Sequence, residues 1–277
     1  MLIDTHAHLW FDEYENDLEQ VLERAKAAGI EKIIVPGTDG ESNKKAIALA
    51  KKYPGVIYAA VGIHPEEVLK HKSSDLSFAS LQTALRSELR EWVVAIGEIG
   101  TDASTEELRN CMGEQKELFR LQCELALELD LPVIIHTRNS LAEALEILDG
   151  LERMPRGQFH CFSHDEDGVK QGLARGFHVS FCGNITWSKR VAKLVGLVPD
   201  DRLLLETDSP LMIPRDKSGA PLQKVPNSGP ESSEPREDRN EPANVAILAE
   251  KIAELRGQTL AEMGKITTEN AIRLFRL

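Results

Sequence analysis

Seven residues of metal-ligand type sit at the ends of short apolar runs in this chain. His6 and His8 close Leu2-Ile3-Asp4-Thr5-His6-Ala7-His8, and His64 closes Val61-Gly62-Ile63-His64. Glu98 follows Ala95-Ile96-Gly97, His136 ends Val133-Ile134-Ile135-His136, His160 follows Gln158-Phe159, and Asp208 ends Leu204-Leu205-Glu206-Thr207-Asp208. Residues i and i+2 of a strand point the same way, so His6 and His8 project side by side. Two imidazoles fixed like this are half of a metal site, and histidine with a carboxylate is the usual ligand set of catalytic divalent metals. Each residue alone has an ordinary alternative: a strand-end histidine can be core or rim, and Asp208 before Ser209-Pro210 can open a turn. One shared centre accounts for all of them at once.

Charge suggests the division of labour. Glu98 has two oxygens and comes from a central strand, so it can bridge two cations. His6 and His8 then hold one of them and His136 and His160 the other. Asp208 is suited both to coordinate and to accept a proton from water, so Glu98 and Asp208 are the catalytic candidates. Two ions about 3.5–4 Å apart activate water and stabilise attacking and leaving oxygens, which is hydrolytic chemistry.

Such a centre requires strands that end together. Apolar, β-branched runs at about 2–8, 32–36, 56–64, 92–99, 132–136, 158–162, 177–182 and 202–208 alternate with amphipathic stretches. The stretches at 14–28, 40–53, 75–90, 111–130, 139–152, 165–175 and 187–196 predict helices. Strand-helix alternation of this kind implies a parallel sheet, and eight units in about 250 residues predict an α/β (β/α)8 TIM barrel with its active site at the C-terminal strand ends. An open doubly wound sheet is the competitor, disfavoured because no glycine-rich phosphate turn follows the first strand. Two further helices are expected at 241–256 and 260–275, giving a single domain over 1–277. Between them and the last strand, residues 211–240 are rich in proline, serine and glycine and predict a long flexible loop over the active-site face.

Composition narrows the class. A net charge of −12 argues against a broad electrostatic grip on nucleic acid, though a local patch or bound cations remain compatible with it. No apolar run reaches membrane-spanning length and no leader pattern precedes the first strand, so a cytoplasmic protein without a membrane or obligate protein partner is expected. The four cysteines form no CxxC pair, which fits a reducing compartment.

The chain resembles the TatD family of metal-dependent hydrolases, from end to end. The resemblance is carried by Asp4-Thr5-His6-Ala7-His8, Gly62-Ile63-His64-Pro65, Gly97-Glu98-Ile99-Gly100, Pro132-Val133-Ile134-Ile135-His136-Thr137-Arg138, His160-Cys161-Phe162-Ser163, Leu205-Glu206-Thr207-Asp208-Ser209-Pro210 and Arg239-Asn240-Glu241-Pro242. It implies a (β/α)8 barrel, a divalent metal site and, for several members, magnesium-dependent deoxyribonuclease activity on DNA. It carries ligand roles onto His6, His8, Glu98, His136, His160 and Asp208, and places His64 and Arg239 near substrate. Arg138 adds a guanidinium able to grip a phosphate, with a surface ion pair as its alternative. Two departures fall at the rim. Glu66 stands where the family commonly has a second histidine, and Thr101-Asp102-Ala103 stands where it commonly has Leu-Asp and an aromatic. The expectation is therefore a hydrolase with two divalent ions (magnesium, manganese or zinc) acting on DNA or a related phosphodiester. Hydrolysis of another small ester, amide or nucleotide-like substrate is the alternative, and a non-catalytic metal-binding scaffold a third reading.

Overall fold

A computed structural model describes residues 1–70, 81–82, 85, 88–222 and 239–277. Eight strands follow one another around a single sheet in chain order, each pair parallel: β1 Leu2–Asp4, β2 Ile30–Pro36, β3 Ile57–Val61, β4 Val93–Asp102, β5 Val133–Arg138, β6 Gly157–Phe159, β7 His178–Phe181 and β8 Leu203–Leu205. The expected (β/α)8 barrel is what the chain forms. The seam between β8 and β1 is closed by single hydrogen bonds rather than a regular ladder. Thr5 N–H donates to Leu205 O (3.0 Å), Asp208 N–H to His6 O (2.9 Å) and His8 N–H to Ser209 O (2.7 Å).

The helices around the sheet are α1 Leu18–Ala27, α2 Gly40–Lys52, α3 Glu106–Asn110, α4 Met112–Glu128, α5 Leu141–Asp149, α6 Glu166–Ala174, α7 Lys189–Leu194, α8 Val245–Arg256 and α9 Leu260–Phe275. Five of these starts carry a side-chain cap, from Asp39, Thr105, Asp165, Ser188 and Thr259. Asp39 accepts from the backbone of Glu41 and Ser42 ahead of α2, and Thr259 with Glu262 makes a capping box ahead of α9, each cap worth about 1 kcal/mol. The expected helix at 75–90 falls largely outside the described residues, although Leu81 and Leu85 are helical and buried.

Two apolar clusters separate the layers. The larger lies between strands and helices. The smaller fills the barrel's lower interior with Ile3, Ile34, Ala60, Ala95, Ile134 and Leu204, and Ala271, Leu274 and Phe275 of α9 pack onto it. The C-terminal helix thus plugs the mouth opposite the strand C-termini. Above the apolar layer the interior becomes polar, with Asp4, Glu98, Gln158, Ser180 and Glu206 all buried.

Strand ends differ from expectation in a consistent way. β1, β6 and β8 stop before His6, His160 and Asp208, so these side chains stand on the first residues of loops, where the backbone is free to aim them. Asp208 itself takes a left-handed φ of 55°. β4 instead runs on to Asp102. Gly100, at φ 145°, permits this, because a Cβ there would lie 2.0 Å from His136 O. The segment after β8 is not structureless where it is described. Leu222 N–H donates to Pro214 O (2.7 Å), and Asp216 Oδ1 accepts from Ser218 N–H (2.7 Å) and Ala220 N–H (3.0 Å), a tight hairpin turn. Residues 223–238 of the expected loop lie outside the described part. No helix among the described residues is long and apolar enough to cross a membrane.

Candidate metal centre

All seven predicted residues meet at the C-terminal end of the barrel, with Glu98 at their middle. Glu98 Oε2 lies 3.3 Å from His6 Nε2 and 3.5 Å from His8 Nε2. Its Oε1 lies 2.9 Å from His136 Nδ1, 2.8 Å from His160 Nε2 and 3.4 Å from His64 Nε2. Asp208 Oδ1 faces the first pair, 3.7 Å from His6 Nε2 and 3.6 Å from His8 Nε2. The His6 and His160 rings stack at 4.1 Å, joining the two halves. Three ligand sets have inward atoms all within 4.8 Å of one another: His6-His8-Asp208, His6-Glu98-His160 and His64-Glu98-His136.

The donor atoms fit divalent cations. His6 Nε2 and His8 Nε2 are 3.1 Å apart, and His136 Nδ1 and His160 Nε2 are 3.2 Å apart. Bare imidazole nitrogens at that distance repel unless a proton or a cation lies between them. Nitrogens about 2.1 Å from one shared ion stand about 3 Å apart at right-angle coordination. Both carboxylates stay ionised. Burial pushes Glu98 up, but the charges of His160, His64 and His6 outweigh it and hold the carboxyl well below the usual range. Burial likewise opposes the lowering of Asp208, and hydrogen bonding to His8 with the charges of His6 and His160 overcomes it. Burial, reinforced by His160, depresses His6. The imidazoles and carboxylates here are tuned by one another, as in sites built for charge.

The outer ring nitrogens have distinct partners. His8 Nδ1 is 3.3 Å from Pro36 O, and His136 Nε2 is 3.0 Å from Asp102 Oδ2. His160 Nδ1 is 3.6 Å from Glu206 Oε1, longer than a hydrogen bond. His64 Nδ1 instead accepts from Glu66 N–H at 3.2 Å. Asp102 is held down to about 2: burial opposes this, and hydrogen bonds from His136 and Ser104 prevail. Asp4, pushed up to about 8 by burial, accepts from Thr207 N–H, Thr207 Oγ–H and His6 N–H. It braces the seam backbone and does not touch a ligand ring.

One expected substrate contact is corrected. The Arg239 side chain is 2% exposed and turned away from the centre. It donates to Asp17 Oδ1 (2.8 Å), Asp17 Oδ2 (2.6 Å), Glu241 Oε1 (2.7 Å) and Glu13 O, and its guanidinium lies 4.5 Å over the Tyr14 ring. Hydrogen bonds and packing on this side fix it as part of the scaffold. Arg138 ends β5 with an exposed side chain, and His64 is at the centre as expected. Trp10 hydrogen-bonds Pro36 O through its indole N–H (2.6 Å) and edges onto His8, while Trp187 is half exposed beyond β7.

Asp102 and Glu206 are the residues that ligand spacing did not single out. Both lie inside motifs quoted above. The signal that would have found them is a second carboxylate one or two strand steps from a ligand.

A family profile described as TatD related DNase matches residues 3–276. The chain is 38% identical, over the full length of both, to an uncharacterized metal-dependent hydrolase, YabD, of Bacillus subtilis. It is 33% identical, again over all of both chains, to a protein of Pectobacterium carotovorum named 3'-5' ssDNA/RNA exonuclease TatD. Among solved structures, the TatD homologue YJJV of Escherichia coli superposes with a TM-score of 0.84 at 32% identity, covering 100% of this chain and 98% of that one. A TatD-family hydrolase of Entamoeba histolytica gives 0.83 at 25% identity, covering 99% of this chain and 97% of that one. With the barrel, the rim and these likenesses in agreement, the chain belongs to the TatD-related DNase family of metal-dependent hydrolases.

Proposed function

We propose that the chain is a nuclease that holds two divalent ions and cleaves phosphodiester bonds of DNA or a related single-stranded nucleic acid. The observation that carries this is the placement of Glu98, with one oxygen facing His6 and His8 and the other facing His136 and His160. His6, His8 and Asp208 would hold one ion and His136 and His160 the second, with Glu98 shared. When bound, such ions supply Lewis acidity to a phosphoryl oxygen and acidify water. The ligand set accepts magnesium, manganese or zinc.

The chain's own groups do the rest. Asp208 lies at the edge of the cluster with an ionised carboxylate and takes the proton as water attacks phosphorus. Glu98 stays anionic between the histidines and keeps the two halves at fixed separation. His64 and the exposed Arg138 orient the phosphate, and backbone held by the β8–β1 seam keeps the ligands from relaxing apart. The relatives named as exonucleases on ssDNA or RNA support this substrate class. All four cysteines are free thiols, and we place the protein in the cytoplasm.

The test is metal analysis of the purified protein followed by a panel of single-stranded DNA, RNA and small esters. Two bound ions, release of nucleotides from DNA ends, and loss of that release on chelation or in Asp208→Asn are expected. A protein that takes up no divalent ion, or one whose Asp208→Asn variant degrades DNA at the wild-type rate, overturns the proposal.

A further inference from the structure

The two tryptophans that follow strand ends differ in what they still offer to a ligand. Trp10 is committed to the protein. Its indole N–H donates to Pro36 O (2.6 Å), its ring centre lies 4.5 Å from that of Phe11, and its edge meets His8. Tyr14 and Phe162 nearby are buried. Trp187 is 50% exposed, and among the described residues no ring or cation lies over it.

The loop that carries Trp187 is fixed. It follows β7, the strand between those that lead to His160 and Asp208. Gly183 packs so closely on the segment after Asp208 that a Cβ there would lie 1.7 Å from Met212 O. Thr186 Oγ1 accepts from Arg215 N–H (2.8 Å), and Asn184 O accepts from Trp187 N–H and from Ser188 N–H (2.8 Å). On the other side, Asn184 Nδ2 lies 4.0 Å from Sγ of Cys161, the residue after His160. The backbone around Trp187 is thus tied to chain adjoining two predicted ligands, while half of the side chain stays open to solvent.

Cations flank it. Lys189 and Arg190 follow at once and are exposed, Arg215 is bonded to the same loop, and exposed Arg138 ends β5 on the same barrel face. None of the four is ion-paired among the described residues. Arg190 donates to His164 O and Arg215 Nη1 to Gly219 O (2.9 Å), both backbone acceptors. Asp216 beside Arg215 engages its Oδ1 in its own turn. In a chain of net charge −12, this is where positive charge and an open aromatic face coincide. Single-stranded nucleic acid is held by that combination, cations along the backbone and aromatic rings under the bases.

We infer that Trp187 is a stacking platform for one unpaired base of a strand whose phosphate lies at the metal centre, with Lys189, Arg190 and Arg215 holding neighbouring phosphates. The inference rests on the nuclease reading above and adds to it a reason for single-stranded substrate: a base inside a duplex is stacked on both faces and has none to lay on the indole. The unpaired cations favour this occupant over an apolar peptide.

Two measurements test this. In chelator at low salt, where nothing is cut and phosphate contacts are strongest, a short oligothymidylate should quench the tryptophan fluorescence. Trp187→Phe should lose that quenching although Trp10 and Trp92 remain. With metal, Trp187→Ala should raise KM for single-stranded DNA about 5–150-fold and leave kcat within about threefold, and Trp187→Phe should recover most of the loss. Strands with one abasic residue, placed at each terminal position in turn, then locate the base. At one position the wild type should show the same rise in KM, with no further rise in Trp187→Ala. Full quenching in Trp187→Phe, an unchanged KM in Trp187→Ala, or additive losses at every abasic position overturns the inference, as does a wild type that the strand does not quench. A wild type quenched through Trp187 that cuts no strand overturns the nuclease reading instead and leaves the stacking site standing.

Discussion

Two clusters of buried ionisable side chains lie close together in this barrel, and they are built on opposite principles. In the first, Arg24 donates through Nε and Nη2 to Glu241 (2.8 Å each), and Arg239 donates to Asp17 and to Glu241. Two guanidinium cations meet two carboxylates, and the geometry leaves donors facing acceptors. In the second, five imidazoles surround Glu98 and Asp208 with no lysine or arginine among the predicted ligands. There, ring nitrogens and carboxylate oxygens converge to about 3 Å of one another, as ligands of one ion do. Burial and charge are common to both. What marks the second as a place for chemistry is that its atoms are complementary to something outside the chain.

The contrast can be broken at several points. The largest effect is expected at Glu98→Gln, which removes the shared charge: hydrolysis should fall by at least about 10³-fold, or roughly 4 kcal/mol of barrier, with little change in circular dichroism. Steady-state rates with saturating metal check this. Next, Arg239→Met should leave Asp17 and Glu241 short of a cation and cost about 3 kcal/mol of stability by urea denaturation, with metal content and KM unchanged. A raised KM with unchanged stability would restore Arg239 to the substrate and collapse the comparison. Third, a divalent ion at about 100 times its Kd should stabilise the wild type by about 2.7 kcal/mol, read as a rise in Tm. Asp208→Asn should show a smaller rise, and Arg239→Met the full one.

The smallest effect belongs to neither cluster and separates their acid sensitivity from the background. His178, on β7 at the plugged end of the barrel, is depressed to about 4 by burial and then by Arg202 and Arg273, from an ordinary 6.5. An unfolded chain binds this proton below pH 6.5 and the folded one does not until about 4. The stability that the neutral ring contributes is thus complete above 6.5 and is lost as pH falls towards 4. His178→Leu should flatten that limb of a Tm-against-pH curve between 6.5 and 4 and leave the rest of it alone.

The strands and their order were legible because parallel barrel strands are buried on both faces and read as unbroken apolar runs, as Ile33-Ile34-Val35 does. The ligands were legible because they recur at the C-terminal ends of those runs. Asp102 was not, because strand length is set by contacts across the sheet: β4 outlasts its apolar run only where Gly100 lets the His136 backbone approach. Arg239 was misread for a related reason. Its neighbours in sequence are polar residues after the loop, whereas its partners Asp17 and Tyr14 come from the other end of the chain, beyond any local pattern. Residues 211–222 read as irregular from their composition, yet a single carboxylate, Asp216, closes them into a turn.

The β8–β1 seam has a consequence for when this protein can act. Asp4 is bonded to Thr207, and His8 to Ser209, across about two hundred positions of chain. During synthesis, His6 and His8 are made about two hundred residues ahead of Asp208. A nascent chain that stalls anywhere before the eighth strand therefore carries several of the ligands and no sealed centre. A barrel that would cut nucleic acid thereby has no assembled centre until its eighth strand has been made.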